Sequence, residues 1–359
     1  MRKQIFSMLS GFVLLFSTYT NISFAQKYTN SNSKETGKVT EANFRLATDY
    51  SKQMRGLSVL VMKGDKVIFE DYENGHTAET AHLLASGTKS FSGVMAVAAE
   101  EDKLLKLDEK VCDTITEWKS DPLKSKITIR QLLSLTGGLD SGAIGMPPGY
   151  SEAINFKAKY EPGTKFEYGP VPFQVFGEVM RRKLQQKKEN VLDYLKRRIL
   201  NPIGMKVQFW RMDSNGNPFL PQGAFLTARE WVKFGLFIKN GGKWNGKQLV
   251  PEKLLKECFI GTKANPSYGL TFWLNANGGQ NSRGQQQNGI LNNRRGDVDD
   301  ISENGIQPEG PKDLVMAAGA GKQRLYIIPS LDLVIVRQGN QSRFDDKEFL
   351  ARLLFGKEI

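Results

Sequence analysis

Ser86 and Lys89, in the run Leu83-Leu84-Ala85-Ser86-Gly87-Thr88-Lys89-Ser90-Phe91, place a hydroxyl and an amine three residues apart. Phe91, Val94, Met95 and Val97 to Ala99 follow at helical spacing. The two polar side chains therefore share one face of a helix start, with β-carbons roughly 5 to 6 Å apart. A serine hydroxyl is a weak nucleophile at neutral pH and needs a neighbouring base. Lysine serves only as the free amine, and its reference pKa of about 10.4 falls by up to ~3 to 5 units on burial. The pair thus demands a closed, partly apolar pocket. A second reading of Ser-x-x-Lys, an N-capping serine beside a solvated lysine, stands next to the catalytic one at this point.

The elements that would hold this pair can be read from pattern. Ala42 to Met54 has helical character. Leu57 to Met62, the turn Lys63-Gly64-Asp65 and Lys66 to Glu70 form a hairpin signature. Helical patterns recur at Phe173–Lys183, Asn190–Leu200 and Ala224–Asn240, and Tyr268–Leu274 reads as a strand. From 275 to 312 the composition turns to Gly, Asn, Gln and charge, a long loop that borders a pocket or is simply solvated. Leu314–Pro329 with Asp332–Val336 reads as a second hairpin. Strand hairpins thus stand at both ends with helical segments between them.

Three stretches carry a resemblance. Ser86-Gly87-Thr88-Lys89-Ser90-Phe91 resembles the nucleophile motif of the serine β-lactamase and penicillin-binding-protein superfamily. The similar branch holds class C β-lactamases, DD-peptidases, family VIII carboxylesterases and 6-aminohexanoate-dimer hydrolases. Tyr168, after the turn Glu161-Pro162-Gly163, matches the tyrosine of the family's Tyr-x-Asn motif, with Pro170 where asparagine is usual. Gly319 to Gln323 falls where the family carries its Lys-Thr-Gly-type motif, and Ala320-Gly321-Lys322 stand at the substrate-binding positions. The resemblance implies a two-lobed α/β (α+β) fold of β-lactamase/transpeptidase-like kind, an antiparallel sheet flanked by helices plus a mostly helical lobe from about 104 to 220, and the strand hairpins at both ends with helices between them agree with it. It implies catalysis by Ser86, Lys89 and Tyr168, an oxyanion hole from the Ser86 and Gln323 backbone N–H groups, and no metal or organic cofactor. Without the resemblance, Tyr168 reads as a half-buried anchor. Pro170 has no side-chain donor, and Ala320 lacks the cation or polar group that would bind a substrate carboxylate. Lys322 and Arg337 are candidates to supply positive charge instead.

Composition narrows the classes. The 359 residues, 40% hydrophobic, can bury one large core or two smaller lobes. The formal charge of +12 suits an anionic envelope polymer or a lipid surface. Lys and Arg are spread along the chain with no recognition motif, which argues against nucleic acid. With only His76 and His82 present, neither a Ser-His-Asp triad nor a zinc cluster is visible. Arg2-Lys3, the apolar run Ile5–Phe16 and Ser23-Phe24-Ala25 form a cleavable leader pattern over 1–25. The expectation is an exported, periplasmic or secreted protein with no stable membrane span after cleavage. A polar linker covers 26–40 and the hydrolase domain 41–359. Cys112 and Cys258 read either as a disulfide or as two buried thiols.

The functional expectation is a serine hydrolase working through an acyl-enzyme on a small-molecule ester or amide, or a cell-wall-derived substrate. Esterase-like chemistry is favoured over β-lactamase or DD-peptidase activity because of Pro170 and Ala320. The alternative of another class is a catalytically inactive relative that binds an envelope polymer.

Overall fold

The computed structural model describes residues 39–276 and 305–359. The leader, residues 26–38 of the expected linker and residues 277–304 of the expected loop lie outside the described residues. The first helix, α1 (Glu41–Gln53), begins where the sequence pattern places it.

The core is a six-stranded antiparallel sheet of β1 (Gly56–Lys63), β2 (Lys66–Tyr72), β3 (Trp273–Leu274), β4 (Val315–Gly319), β5 (Gln323–Ile328) and β6 (Leu333–Gly339). Its order is β2-β1-β6-β5-β4-β3, so both ends of the chain meet in the middle of one sheet. Ser58 pairs with Gln338, Leu60 with Val336 and Met62 with Val334. β4, β5 and β6 are buried along their whole length, because helices cover both faces. The second hairpin expected from sequence is a three-strand meander. Gly321 and Lys322 adopt φ of +77° and +61° and turn the chain between β4 and β5, a conformation that glycine takes without strain.

Alternation along β5 sorts its side chains to two layers. Leu325, with Val334 of β6, lies against Gly235 of the helix Ala228–Lys239. Arg324 and Tyr326 point the other way, to Asp346 at the start of the helix Asp346–Phe355, which packs on α1. Arg324 donates to both Asp346 carboxylate oxygens, at 2.7 and 3.0 Å, and to the Gly319 carbonyl at 3.2 Å. Burial pushes the Asp346 carboxyl up, but the Arg324 charge and its bonds outweigh that and hold it below the usual value.

Two other expectations change. Ala224–Asn240 splits into a short strand, Ala224–Leu226, and a helix that starts after Thr227, whose hydroxyl accepts from the Glu230 N–H. Tyr268–Leu274 is not a continuous strand: Thr271 has φ +74° and the chain folds back, so that only Trp273 and Leu274 join the sheet. The segment from 104 to 220 holds one long helix, α3 (Val171–Leu184), among shorter helices and turns. Elsewhere, Asn275 ties the two ends of the 275–312 stretch together. It donates to the Gln307 and Pro311 carbonyls at 2.8 and 2.9 Å. Cys112 and Cys258 are buried free thiols.

Removing one partner of a buried ion pair leaves an uncompensated charge. Asp346→Ala is expected to lower the unfolding free energy by about 3 to 5 kcal/mol, read from urea denaturation. A midpoint within error of the parent chain would contradict the role given to this pair.

Candidate active site

Ser86 and Lys89 sit on a single 3₁₀ turn, Ala85–Lys89, that runs directly into the buried helix α2 (Ser90–Glu101). The sequence pattern implies an α-helical start. The tighter turn serves better, since side chains at i and i+3 eclipse in a 3₁₀ helix. Ala85 takes a φ of +46°, an unfavourable backbone for a residue with a β-carbon, immediately before the serine. The turn is tied down by its neighbours. The Leu84 N–H donates to the Ala224 carbonyl at 2.9 Å, and the Ala224 N–H donates to Thr88 Oγ1 at 3.2 Å.

Lys89 Nζ lies 2.8 Å from Ser86 Oγ and donates to the Pro221 carbonyl at 3.1 Å. The side chain is only 4% exposed, and the aromatic rings of Tyr168 and Phe173 have their centres 4.9 and 5.3 Å from Nζ. Burial alone pushes the amine down to about 7. Ser86 itself is only partly buried, so the hydroxyl is accessible where the amine is not.

Tyr168 completes the group. Burial pushes its phenol up to about 12, against the lowering effects of the Ser86 side chain and the Arg324 charge. Its ring stacks on Trp273 at 5.8 Å and 28°, and meets Tyr268 edge-on at 6.3 Å. An aromatic wall thus keeps water from the Lys89 side of the site.

The third motif lies differently from the sequence expectation. β4 runs past the serine turn: a β-carbon on Gly319 would stand 2.0 Å from the Leu84 carbonyl and 2.9 Å from the Gly87 nitrogen. Only glycine permits that approach. Gln323 belongs to β5, the next strand in, paired with Gly319 in the ladder. Its side-chain amide holds the turn, donating to the carbonyls of Ala320, Gly321 and Gly339. The backbone nearest the Ser86 turn is therefore the end of β4, and Gln323, expected as an oxyanion donor, lies one strand further from that turn. Of the three residues placed at substrate-binding positions, Ala320 is exposed and Gly321 half-buried, while Lys322 is buried and its charge acts on Asp346. Arg337 is fully buried, donating to Ser51 Oγ and to the Lys322 and Met54 carbonyls. Neither of these two cations supplies charge to an open cleft. Pro170 sits at the start of α3 beside Gly142, without a polar side-chain atom.

Pro221, Phe173, Tyr268 and Trp273 are absent from the sequence reading of the site. The signal available for the last two was the aromatic density of Tyr268–Leu274.

The fold and the Ser-x-x-Lys turn define the serine β-lactamase/penicillin-binding-protein-like class. The chain belongs to the Beta-lactamase family, whose sequence model matches residues 39–355. An uncharacterised protein of Alkalihalophilus pseudofirmus is 23% identical over 233 residues, covering 56% of this chain and 63% of that protein. The chain spans less than two thirds of the length of the curated relatives it matches. Among solved structures, EstCE1, a hydrolase with promiscuous acyltransferase activity, aligns with a TM-score of 0.65 at 15% identity, over 87% of this chain and 97% of that one. A penicillin-binding protein homologue of Caulobacter crescentus gives 0.63 at 14% identity, over 89% and 97%.

An uncompensated amine buried at position 89 destabilises the folded chain. Lys89→Met is expected to raise the thermal midpoint at pH 7 by a few degrees. A midpoint below the parent's, from calorimetry, would show that the amine is not held against its solvation.

Proposed function

We propose that the protein is an exported serine hydrolase that cleaves a small ester through an acyl-enzyme. The observation that carries this reading is the 2.8 Å contact between Ser86 Oγ and an Lys89 amine that burial brings to about 7. A base whose pKa lies near the working pH combines the required free form with enough driving force to take the proton.

Ser86 Oγ bonds to the substrate's carbonyl carbon while its proton passes to Lys89 Nζ. The oxyanion so formed is received by the Ser86 N–H and by backbone N–H at the Gly319–Ala320 end of β4. Collapse breaks the carbon–oxygen bond to the leaving group, and the Tyr168 hydroxyl protonates the departing alkoxide. The Lys89 ammonium returns a proton to Tyr168. Water then attacks the acyl-serine, its proton moving to the same amine; collapse breaks the carbon–Oγ bond, the Lys89 ammonium returns that proton to Ser86 Oγ, and the acid leaves. Tyr168, at about 12, keeps its proton across the accessible range and fits the donor's part, leaving Lys89 as the base.

An ester fits better than a peptide or β-lactam. Pro170 offers no amide to a substrate N–H, Ala320 offers no charge to a carboxylate, and Lys322 and Arg337 are engaged within the fold. The likeness in fold to a hydrolase with acyltransferase activity supports the same chemistry. The leader pattern over 1–25 supports export, and among the described residues no helix is long and apolar enough to cross a membrane.

Turnover of p-nitrophenyl esters is expected, with Ser86→Ala reducing it by about 10³-fold or more. The profile of kcat/KM is expected to fall tenfold per pH unit below about 7, as Lys89 takes up its proton. Faster turnover of a chromogenic cephalosporin would assign the site to β-lactams. Ester turnover unaffected by Ser86→Ala, or binding of cell-wall polymer with none, would overturn the hydrolase reading.

A further inference from the structure

Pro221 is 132 residues away from Lys89 in the chain, yet among the described residues its carbonyl is the one backbone acceptor that receives Nζ. A neutral amine has two N–H bonds and one lone pair. Giving an N–H to Pro221 fixes the torsion about the Cε–Nζ bond, and with it the direction in which the lone pair meets Ser86 Oγ–H. The position of that carbonyl is therefore a condition of the proton transfer described above, and the inference rests on that reading.

Proline has no N–H, so the segment cannot be anchored at residue 221 itself. The last backbone donor before the carbonyl is the Leu220 N–H, and it donates to Gln174 Oε1 at 3.2 Å. The other end of the same amide, Gln174 Nε2, donates to the Pro148 carbonyl at 2.7 Å. Gln174 is fully buried on α3, one residue past Phe173, whose ring faces Nζ. An apolar side chain would fill that volume equally well. A glutamine there has both ends of its amide committed to backbone in two separate loops, and one of these carries the lysine's acceptor.

We propose that Gln174 is a positioning residue of the Ser86–Lys89 site: its buried amide clamps the Pro148 and Leu220 backbones and thereby fixes the Pro221 carbonyl against Lys89 Nζ. Tyr150 braces the same segment, its hydroxyl donating to the Pro218 carbonyl at 3.0 Å. Of the titratable groups, the Tyr168 phenol faces Nζ, and no carboxylate contributes to the shift of Lys89.

The test is the rate of Ser86 labelling by a fluorophosphonate as a function of pH, in the parent chain, Gln174→Met and Tyr150→Phe, with thermal midpoints measured alongside. A carbonyl acceptor favours the ammonium over the amine, so releasing it lets Lys89 lose its proton more easily. The acid limb of the Gln174→Met profile is expected to move to lower pH. Its plateau rate is expected to fall by about ten- to a hundredfold, since small displacements of a catalytic group carry losses of that order. Tyr150→Phe is expected to move both in the same direction by less, and carries the test if Gln174→Met does not fold. Limbs and plateaus that superimpose on the parent's, with only the thermal midpoint lowered, would reduce Gln174 to a packing residue and overturn the proposal. Failure of the parent chain itself to label at Ser86 would overturn the hydrolase reading beneath it, and this proposal with it.

Discussion

The structure depends on keeping one lysine amine out of water with no carboxylate beside it. Moving Lys89 from its ordinary value to about 7 corresponds to on the order of 5 kcal/mol of destabilised ammonium. That energy comes from the fold as a whole. The 3₁₀ turn directs the side chain inward, α2 behind it is buried from Ser90 to Ala99, and Tyr168, Phe173 and Trp273 close the remaining approaches. Ser86 stays at the boundary, reachable from solvent while touching the buried amine.

The sheet supplies the second condition, a rigid strand next to the serine. β4 ends at Gly319 in contact with the turn, and the Arg324 guanidinium, itself locked to Asp346, donates to the Gly319 carbonyl. The C-terminal helix that carries Asp346 rests on α1, so elements from both ends of the domain converge under the strand that borders the site. The same network engages Lys322 and Arg337, Lys322 acting on Asp346 and Arg337 donating to the Lys322 carbonyl.

What could be read from the sequence was whatever is local. Ser86 and Lys89 lie within one turn, the three-residue spacing alone brings them together, and the apolar runs of β1, β5 and β6 announce strands buried on both faces. Tyr168 was accessible only through resemblance, because it meets the Ser86 site from 82 residues further along the chain. Pro221 and Phe173 reach Lys89 across 132 and 84 residues, and nothing in their own neighbourhoods marks them. Gln323 was placed by alignment with a family motif, which carries no record of where the chain turns. The positive φ at Gly321 and Lys322 turns the chain first and sets Gln323 one strand deeper. A similar backbone feature at Thr271 broke the run Tyr268–Leu274, and Thr227, a capping residue within an apolar stretch, divided Ala224–Asn240.

The most direct measurement is an NMR titration of Lys89 in the intact protein, using lysine labelled with ¹³C at Cε and assigned by the signal missing from Lys89→Met. The account predicts that this one resonance titrates with a midpoint near 7, well apart from the other lysines. A midpoint at the ordinary lysine value of about 10.4 would mean that the amine stays charged beside Ser86, and the nucleophile would be left without its base.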